Sequence, residues 1–550
     1  MKQFLILLAF ACTLAPQAAT AQAHEFTRAD TLRGSITPER AWWNVLRYDL
    51  AFAPDLAAKT IAGRQVITFN ALDSGSVMQI DLQEPMQLEE AMLGERSVSF
   101  RRDGNVYYIR SDAPLAQGDT ARLTLNFSGK PREAVQPPWD GGWVWSSDDR
   151  GRPWAGVACQ GIGASVWFPC KDHQSDEPDL GASISVTVPD TLSAVSNGRL
   201  LGAEEVDEGL RGYAWEVVSP INAYNLTVYI GNYAHWSETF EGEDGALDLD
   251  FFVLDYEKER AAPHFSQVHG MLACFEEWFG PYPFYADGYK LVQSPYLGME
   301  HQSAIAYGNR FKNGYMGMDL SGSGWGLKWD FIIVHESGHE WFGNNITSAD
   351  IADMWIHEGF TAYSEALYVE CKYGKDAGAD YIVGTRRNVM NDRPVIGPYG
   401  VNKEGSGDMY FKAANMIHMI RTVMDDDSLF TAMLREMNRK WYHGITTSAE
   451  TEAFINEFSG KDFTGVFDQY LRSTEIPVLE YTIYEGRLHY RYRETVENFN
   501  LEIPLTDGTS LRPLKEWRSM PWNRNPAEPL RIDRNYFMFT RMFIGPPEEN

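Results

Sequence analysis

The chain has 550 residues, 44% of them hydrophobic and 13% aromatic, with a formal net charge of -28. At ~150 residues per domain this length predicts about three to four domains, and the apolar content excludes general disorder. With 76 acidic against 48 basic residues, nothing in the composition would neutralise phosphates, so neither nucleic acid nor an anionic membrane surface is an expected partner.

In chain order, the first feature is a leader. Lys2 supplies a positive start, Phe4 to Leu14 is a short apolar run, and Ala19-Thr20-Ala21 and Ala21-Gln22-Ala23 each offer small residues for cleavage. Residues 1–23 are therefore read as a signal peptide, and the mature chain as exported, periplasmic or secreted. No later stretch reaches the ~18 consecutive apolar residues of a spanning helix. Cys12 leaves with the leader. Cys159, Cys170, Cys274 and Cys371 remain, too few for a disulfide framework and without CxxC spacing. Cys159 and Cys170 are close enough in sequence to pair in an oxidising compartment; buried free thiols are the alternative.

Residues 24–254 read as short strands broken by turns, such as Tyr48–Phe52, Gln65–Phe69, Val106–Ile109 and Ala182–Val186, in the manner of a β-sandwich. Over 255–475 the period becomes helical, with expected helices at His264–Gly280, Trp329–Phe342, Met354–Tyr373, Asp408–Met424 and Ser428–Trp441. Over 476–550 alternation returns. Tyr481 and Ile483, then Leu488, Tyr490 and Tyr492, then Leu501, Ile503 and Leu505 mark strand faces, with Glu485-Gly486 as a hairpin turn. The fold class is thus multidomain α+β: an N-terminal β domain, a mainly helical middle domain and a small C-terminal β domain.

The chemistry concentrates in Val334-His335-Glu336-Ser337-Gly338-His339-Glu340. Histidines at i and i+4 share one face of a helix and can reach one ion, and Glu336 lies where it can act as a base. Glu358, 19 positions after His339 on the next predicted helix, completes a His₂Glu set that leaves a coordination position open, suited to one Zn²⁺ per chain. His357 points about 100° away from Glu358 around that helix and is expected to face solvent or packing neighbours. Asp353 and Glu365 are the candidates for orienting the histidines.

This pattern resembles the gluzincin zinc peptidases of the aminopeptidase N and leukotriene hydrolase family. The resemblance extends over roughly residues 40 to 480. It includes Trp355-Ile356-His357-Glu358-Gly359-Phe360-Thr361-Ala362-Tyr363, Trp341-Phe342-Gly343-Asn344, Cys159-Gln160 with Phe168-Pro169-Cys170-Lys171-Asp172, and Phe279-Gly280-Pro281-Tyr282-Pro283. It implies a thermolysin-like catalytic domain and the release of N-terminal residues from peptides with a free amino terminus. Gly298-Met299-Glu300 stands where relatives carry G-x-M-E-N, the loop that captures the substrate's amine, so Glu300 is the implied anchor. Leu297 and His301 replace the outer Gly and Asn of that motif, which bears on side-chain preference. Gln160 aligns with a residue that reaches toward the amine. Tyr410 resembles the tyrosine that stabilises the tetrahedral intermediate, with Tyr399 as the competing choice; Met409 and Ala413 depart from the family's P-Y-x-K-G.

Most large relatives end in a helical solenoid. The stretch after Thr474 has room only for a small β domain, so a more open cleft is expected. A zinc endopeptidase or an epoxide hydrolase could use the same triad, and a non-catalytic peptide-binding protein is the remaining alternative.

Overall fold

The computed structural model describes residues 25–505, 508–522 and 530–547. The predicted signal peptide lies outside the described residues. In the N-terminal part, Trp43–Asp55 pairs antiparallel with Thr60–Ala71 and parallel with Ala182–Pro189 inside an eight-stranded sheet. Alternate residues of this strand, among them Tyr48, Leu50 and Phe52, are buried, which is the period-two signature of a sheet with one covered face. A four-stranded and a three-stranded sheet complete this part, and Trp43, Trp143 and Trp167 sit fully buried in the core. The strand Pro153–Ala158 of the four-stranded sheet runs directly into the loop that carries Gln160.

The strands Tyr233–Gly242 and Gly245–Leu254 do not belong to the N-terminal sheets. They extend a five-stranded sheet with β1 (Tyr289–Gln293), β2 (Gly298–Met299) and β3 (Ile305–Tyr307). Their apolar face (Phe240, Leu247, Leu249, Phe251 and Val253) joins the core of the helical part. The middle sheet therefore takes in strands that lie before residue 255. Strand periodicity shows that a segment is β but not which sheet it enters. β2 lies at the edge of this sheet, antiparallel to β3.

Among the helices of the middle part are α1 (Phe331–Gly338), α2 (Trp355–Tyr373) and α3 (Phe411–Met424). α1 is shorter than the expected Trp329–Phe342, because Asp330 caps its start and the chain turns through His339–Gly343 after its end. The expected helix His264–Gly280 is divided into Lys258–Phe265 and Gln267–Phe279. A disulfide ties Cys274, on the second of these, to Cys371 on α2, with Cα atoms 6.1 Å apart. Of the two readings open for Cys159 and Cys170, pairing or buried free thiols, the structure shows buried free thiols. The bond that forms spans 97 positions, a separation that leaves no local signal in the sequence.

At the C-terminus, Val478–Tyr484 and Arg487–Arg493 form a hairpin in a four-stranded sheet. Glu485 and Gly486 both have positive φ, 51° and 72°, as a tight two-residue hairpin turn requires. Leu479, Tyr481 and Leu488 share a core with Ile417 and Phe467 of the helical part. Among the described residues no helix is long and apolar enough to cross a membrane.

Candidate metal centre and amine anchor

The Asp330 carboxylate accepts from the backbone N–H groups of Ile332 and Ile333 at 3.0 and 3.4 Å, and from the Tyr307 hydroxyl and the Asn309 amide at 2.7 and 2.8 Å. This buried N-cap pins the start of α1 to the sheet. Gly338 allows α1 to approach α2 closely: a Cβ there would lie 2.6 Å from the Ser364 hydroxyl. The two helices thus bring His335, His339 and Glu358 together, with ligand atoms all within 4.8 Å of one another and all three residues buried. Glu358 sits in the first turn of α2, where the helix dipole favours a carboxylate.

The outer nitrogens fix the roles of the inner ones. His335 Nδ1 lies 2.7 Å from Glu365 Oε1, whose partner oxygen accepts from the Tyr381 hydroxyl at 2.6 Å. His339 Nδ1 lies 3.0 Å from the Phe342 carbonyl oxygen. With each Nδ1–H donating outward, both Nε2 atoms present lone pairs. They face Glu358 Oε2, at 3.6 and 3.3 Å, a buried oxygen that accepts no hydrogen bond among the described residues. Three buried acceptors that converge call for a cation, and two imidazoles with one carboxylate are the donor set that suits zinc.

Glu300, directly after β2, is 2% exposed. Its Oε1 accepts from Gln160 Nε2 at 2.7 Å and from the Tyr224 hydroxyl at 3.1 Å, while Asn344 holds its backbone carbonyl at 2.8 Å. Gln160 Nε2 also donates to Glu358 Oε1 at 3.1 Å, so one amide separates the anchor from the metal ligand. Burial pushes the Glu300 carboxyl up; His339 opposes this and Glu358 adds to it.

A cleft of about 560 Å³ is lined by Gln160, Gly298, Met299, Glu300, the metal triad, Glu336 and Tyr410. Gly298 is required there, since a Cβ would meet Glu336 Oε1 at 2.5 Å. Burial raises the Glu336 carboxyl to about 7, against the opposing pull of His335 and His339. Tyr410 stacks on His335 with ring centroids 5.9 Å apart. Burial, and then the Glu358 and Glu404 carboxylates, hold its phenol well above its ordinary value, so it remains a proton donor.

His335, His339, Glu358, Glu336, Tyr410, Glu300, Gln160, Gly298 and Met299 all line this one cleft. The competing Tyr399 does not; it is 55% exposed and donates to Asp353 at 2.6 Å. Asp353 orients no histidine: it binds Tyr399 and Ser448, leaving Glu365 as the carboxylate behind His335. His357 is wholly buried and accepts from the Ser348 N–H at 2.8 Å. His301 is also buried, 2.7 Å from the Tyr229 hydroxyl and outside the cleft lining, and burial lowers it to about 3, so it stays neutral. Tyr224, Tyr381, Trp139, Tyr315 and Glu404 were not singled out by the sequence. Only Glu365 carried a spacing signal, two turns after Glu358 on the same helix face.

Two family models match the chain: the Peptidase M1 N-terminal domain over residues 44–224 and the Peptidase family M1 domain over 265–470, together well over half of its length. Endoplasmic reticulum aminopeptidase 1 of Mus musculus is 24% identical over 294 residues, covering 51% of this chain and 30% of that protein. Aminopeptidase N of Lactococcus lactis is 21% identical over 466 residues, covering 80% of this chain and 52% of that protein. The chain thus spans between about a third and a half of these relatives' length. The crystal structure of an M1 zinc metallopeptidase from Deinococcus radiodurans shares the fold, with a TM-score of 0.66 at 21% identity, covering 81% of this chain and 97% of that one. A mutant of the same Deinococcus enzyme, solved with a Tyr-Ser-Ala substrate, aligns with a TM-score of 0.65 at 21% identity, covering 80% of this chain and 97% of that one. With its N-terminal and catalytic parts both matched, and with the metal-ligand set in place, the chain belongs to peptidase family M1.

Proposed function

We propose that this protein is a zinc-dependent aminopeptidase that removes single residues from peptides with a free N-terminus. The observation that carries the reading is the Gln160 side chain, in contact with both Glu300 and the metal ligand Glu358. A substrate ammonium paired with Glu300 would leave its first carbonyl within one residue's reach of the triad. The edge strand β2 offers backbone groups to an extended peptide. His335, His339 and Glu358 would hold Zn²⁺, which supplies Lewis acidity for water activation and carbonyl polarisation. Glu336 takes a proton from the attacking water and returns it to the leaving amine. The Tyr410 hydroxyl donates to the developing oxyanion, and Glu300 with Gln160 holds the amine in place.

The test is a panel of aminoacyl reporter substrates assayed with chelator and after zinc is restored, alongside Glu336→Gln. Turnover should vanish with chelator and return with zinc. The variant should bind zinc yet lose activity by at least ~10³-fold. A chelator-insensitive activity, or an active Glu336→Gln enzyme, would contradict the assignment.

We also propose that the protein works after export. The leader-like residues 1–23 support this, as does the Cys274–Cys371 disulfide, a bond suited to an oxidising compartment. N-terminal sequencing of the protein from the cell exterior or periplasm should begin near His24. Recovery of the intact leader in the cytosol would overturn the proposal.

A further inference from the structure

The cleft lining combines aromatic side chains with an unused acid. On the side of Glu336 its wall is apolar and aromatic: Tyr315 packs edge-on against Phe331 at 5.2 Å, and Phe331 stacks on His335 at 5.0 Å. On the side of the amine anchor stands a carboxylate for which the mechanism has no use. Glu404 is half-buried and lines the cleft with Glu300 and Glu358. Its Oε1 would lie 3.2 Å from a Cβ on Gly161, so the acid sits against the backbone beside Gln160. Among the described residues no hydrogen bond or ion pair engages it.

The charges around Glu404 do not compensate it. Burial pushes its carboxyl up, and Glu358 and Glu300 add to the effect; Lys403 and Arg393 act in the other direction. Lys403 is exposed, and Arg393 is engaged with Asp392 and the Gly405 carbonyl. A partly desolvated carboxylate beside two more carboxylates costs free energy that a cation in the cleft would recover.

The rim of the cleft also carries an indole. Trp139 lines the cleft yet is 66% exposed. Its loop is held by the Asp140 carboxylate, which accepts from the backbone N–H groups of Val135 and Gln136 at 2.8 Å each. The loop packs on Ile162, two residues after Gln160. An indole face at the mouth suits an aliphatic stem or a cation.

Building on the proposed aminopeptidase reading, we infer that the first side chain of the substrate is basic, lysine or arginine, with Glu404 as the residue that selects it. Glu300 takes the α-ammonium and Glu404 takes the side-chain charge, so a single N-terminal residue pairs with two carboxylates on either side of Gln160. Trp139 forms the outer wall over the stem. The selection is a matter of substrate binding, and the hydrolytic step is the same for every side chain.

The experiment uses the zinc-loaded full chain and compares kcat/KM for arginyl, lysyl, leucyl and glutamyl reporters in wild type, Glu404→Gln and Glu404→Arg at low and high salt. Wild type should favour arginyl or lysyl over leucyl, and Glu404→Gln should cut that ratio about tenfold, mainly through KM. Glu404→Arg should favour the glutamyl reporter over the arginyl one. Added salt should narrow the wild-type preference by screening the exposed end of the pair. A wild type that prefers leucyl, or a Glu404→Gln ratio unchanged from wild type, overturns the inference. Cleavage that requires a free amine but ignores side-chain charge sinks only this inference; cleavage indifferent to the free amine sinks the aminopeptidase reading itself.

Discussion

The metal triad and the amine anchor are built in opposite ways. His335, His339 and Glu358 come from α1 and the neighbouring α2, with Asp330 capping one helix, Glu365 and the Phe342 carbonyl orienting the imidazoles, and Gly338 keeping the helices close. The anchor is assembled across two domains. Glu300 follows an edge strand of the middle unit, while Gln160 and Tyr224 reach it from the N-terminal unit. The metal site is preorganised by its own helices. The anchor depends on the docking of the β domain, and in the free protein its carboxylate rests on the groups a substrate amine would join or displace.

Substitutions should separate these two designs. The largest effect belongs to the triad: Glu358→Gln should lower both zinc occupancy and turnover, the latter by at least ~10³-fold, measured by metal analysis and kcat. An unaltered zinc content would show that the carboxylate is not a ligand. Next comes the anchor. Glu300→Ala should leave zinc bound but lower kcat/KM on free-amine peptides by about 10²-fold, chiefly by misplacing the substrate. Loss of zinc in that variant would mean the two regions are not separable.

A smaller change is expected one layer out. Glu365→Gln retains the shape but weakens the acceptor behind His335, so zinc affinity should fall by roughly 10- to 100-fold in a competition titration against a chelator. Unchanged affinity would leave Glu365 a packing residue.

The smallest expected effect is on stability and concerns the docking of the two domains. Glu177, in the N-terminal unit, is buried; burial raises its carboxyl to about 7, against the opposing effect of Thr347 of the middle unit and of the Asn222 amide. A carboxyl raised from 4.5 to about 7 holds its proton more tightly when folded. Its contribution to stability is therefore full below pH ~4.5 and declines as the pH rises toward 7, with no further loss above. Glu177→Gln, which is neutral at every pH, should show a smaller drop in melting temperature between pH 5 and pH 8 than the wild type. An equal drop would assign the pH dependence to other groups.

The same contrast explains what was legible in the sequence. The metal site was readable because its residues are close in sequence and follow helix periodicity: His335 and His339 one turn apart, Glu358 on the next helix, and Glu365 two turns further on. The hairpin at Glu485-Gly486 was legible for a similar reason, since it depends on two adjacent residues. Contacts between distant segments left no such trace. Tyr381 behind Glu365, Tyr224 behind Glu300 and the Cys274–Cys371 bond each join segments whose nearness only the packed fold establishes. Glu300 and Tyr410 could be singled out only through the resemblance to a family, because an isolated glutamate or tyrosine has no periodic signature. The strands Tyr233–Gly242 and Gly245–Leu254 were legible as strands, but their membership of the middle sheet depends on hydrogen bonds to Tyr289–Gln293.

On the proposed function, Glu300 confines a zinc hydrolase to free amino termini. The most direct measurement offers the zinc-loaded protein one peptide in two forms, with a free and with an acetylated N-terminus, and identifies the products by mass. Stepwise loss of single residues from the free peptide and no cleavage of the acetylated one are expected. Internal cleavage of both forms at comparable rates would contradict the proposal.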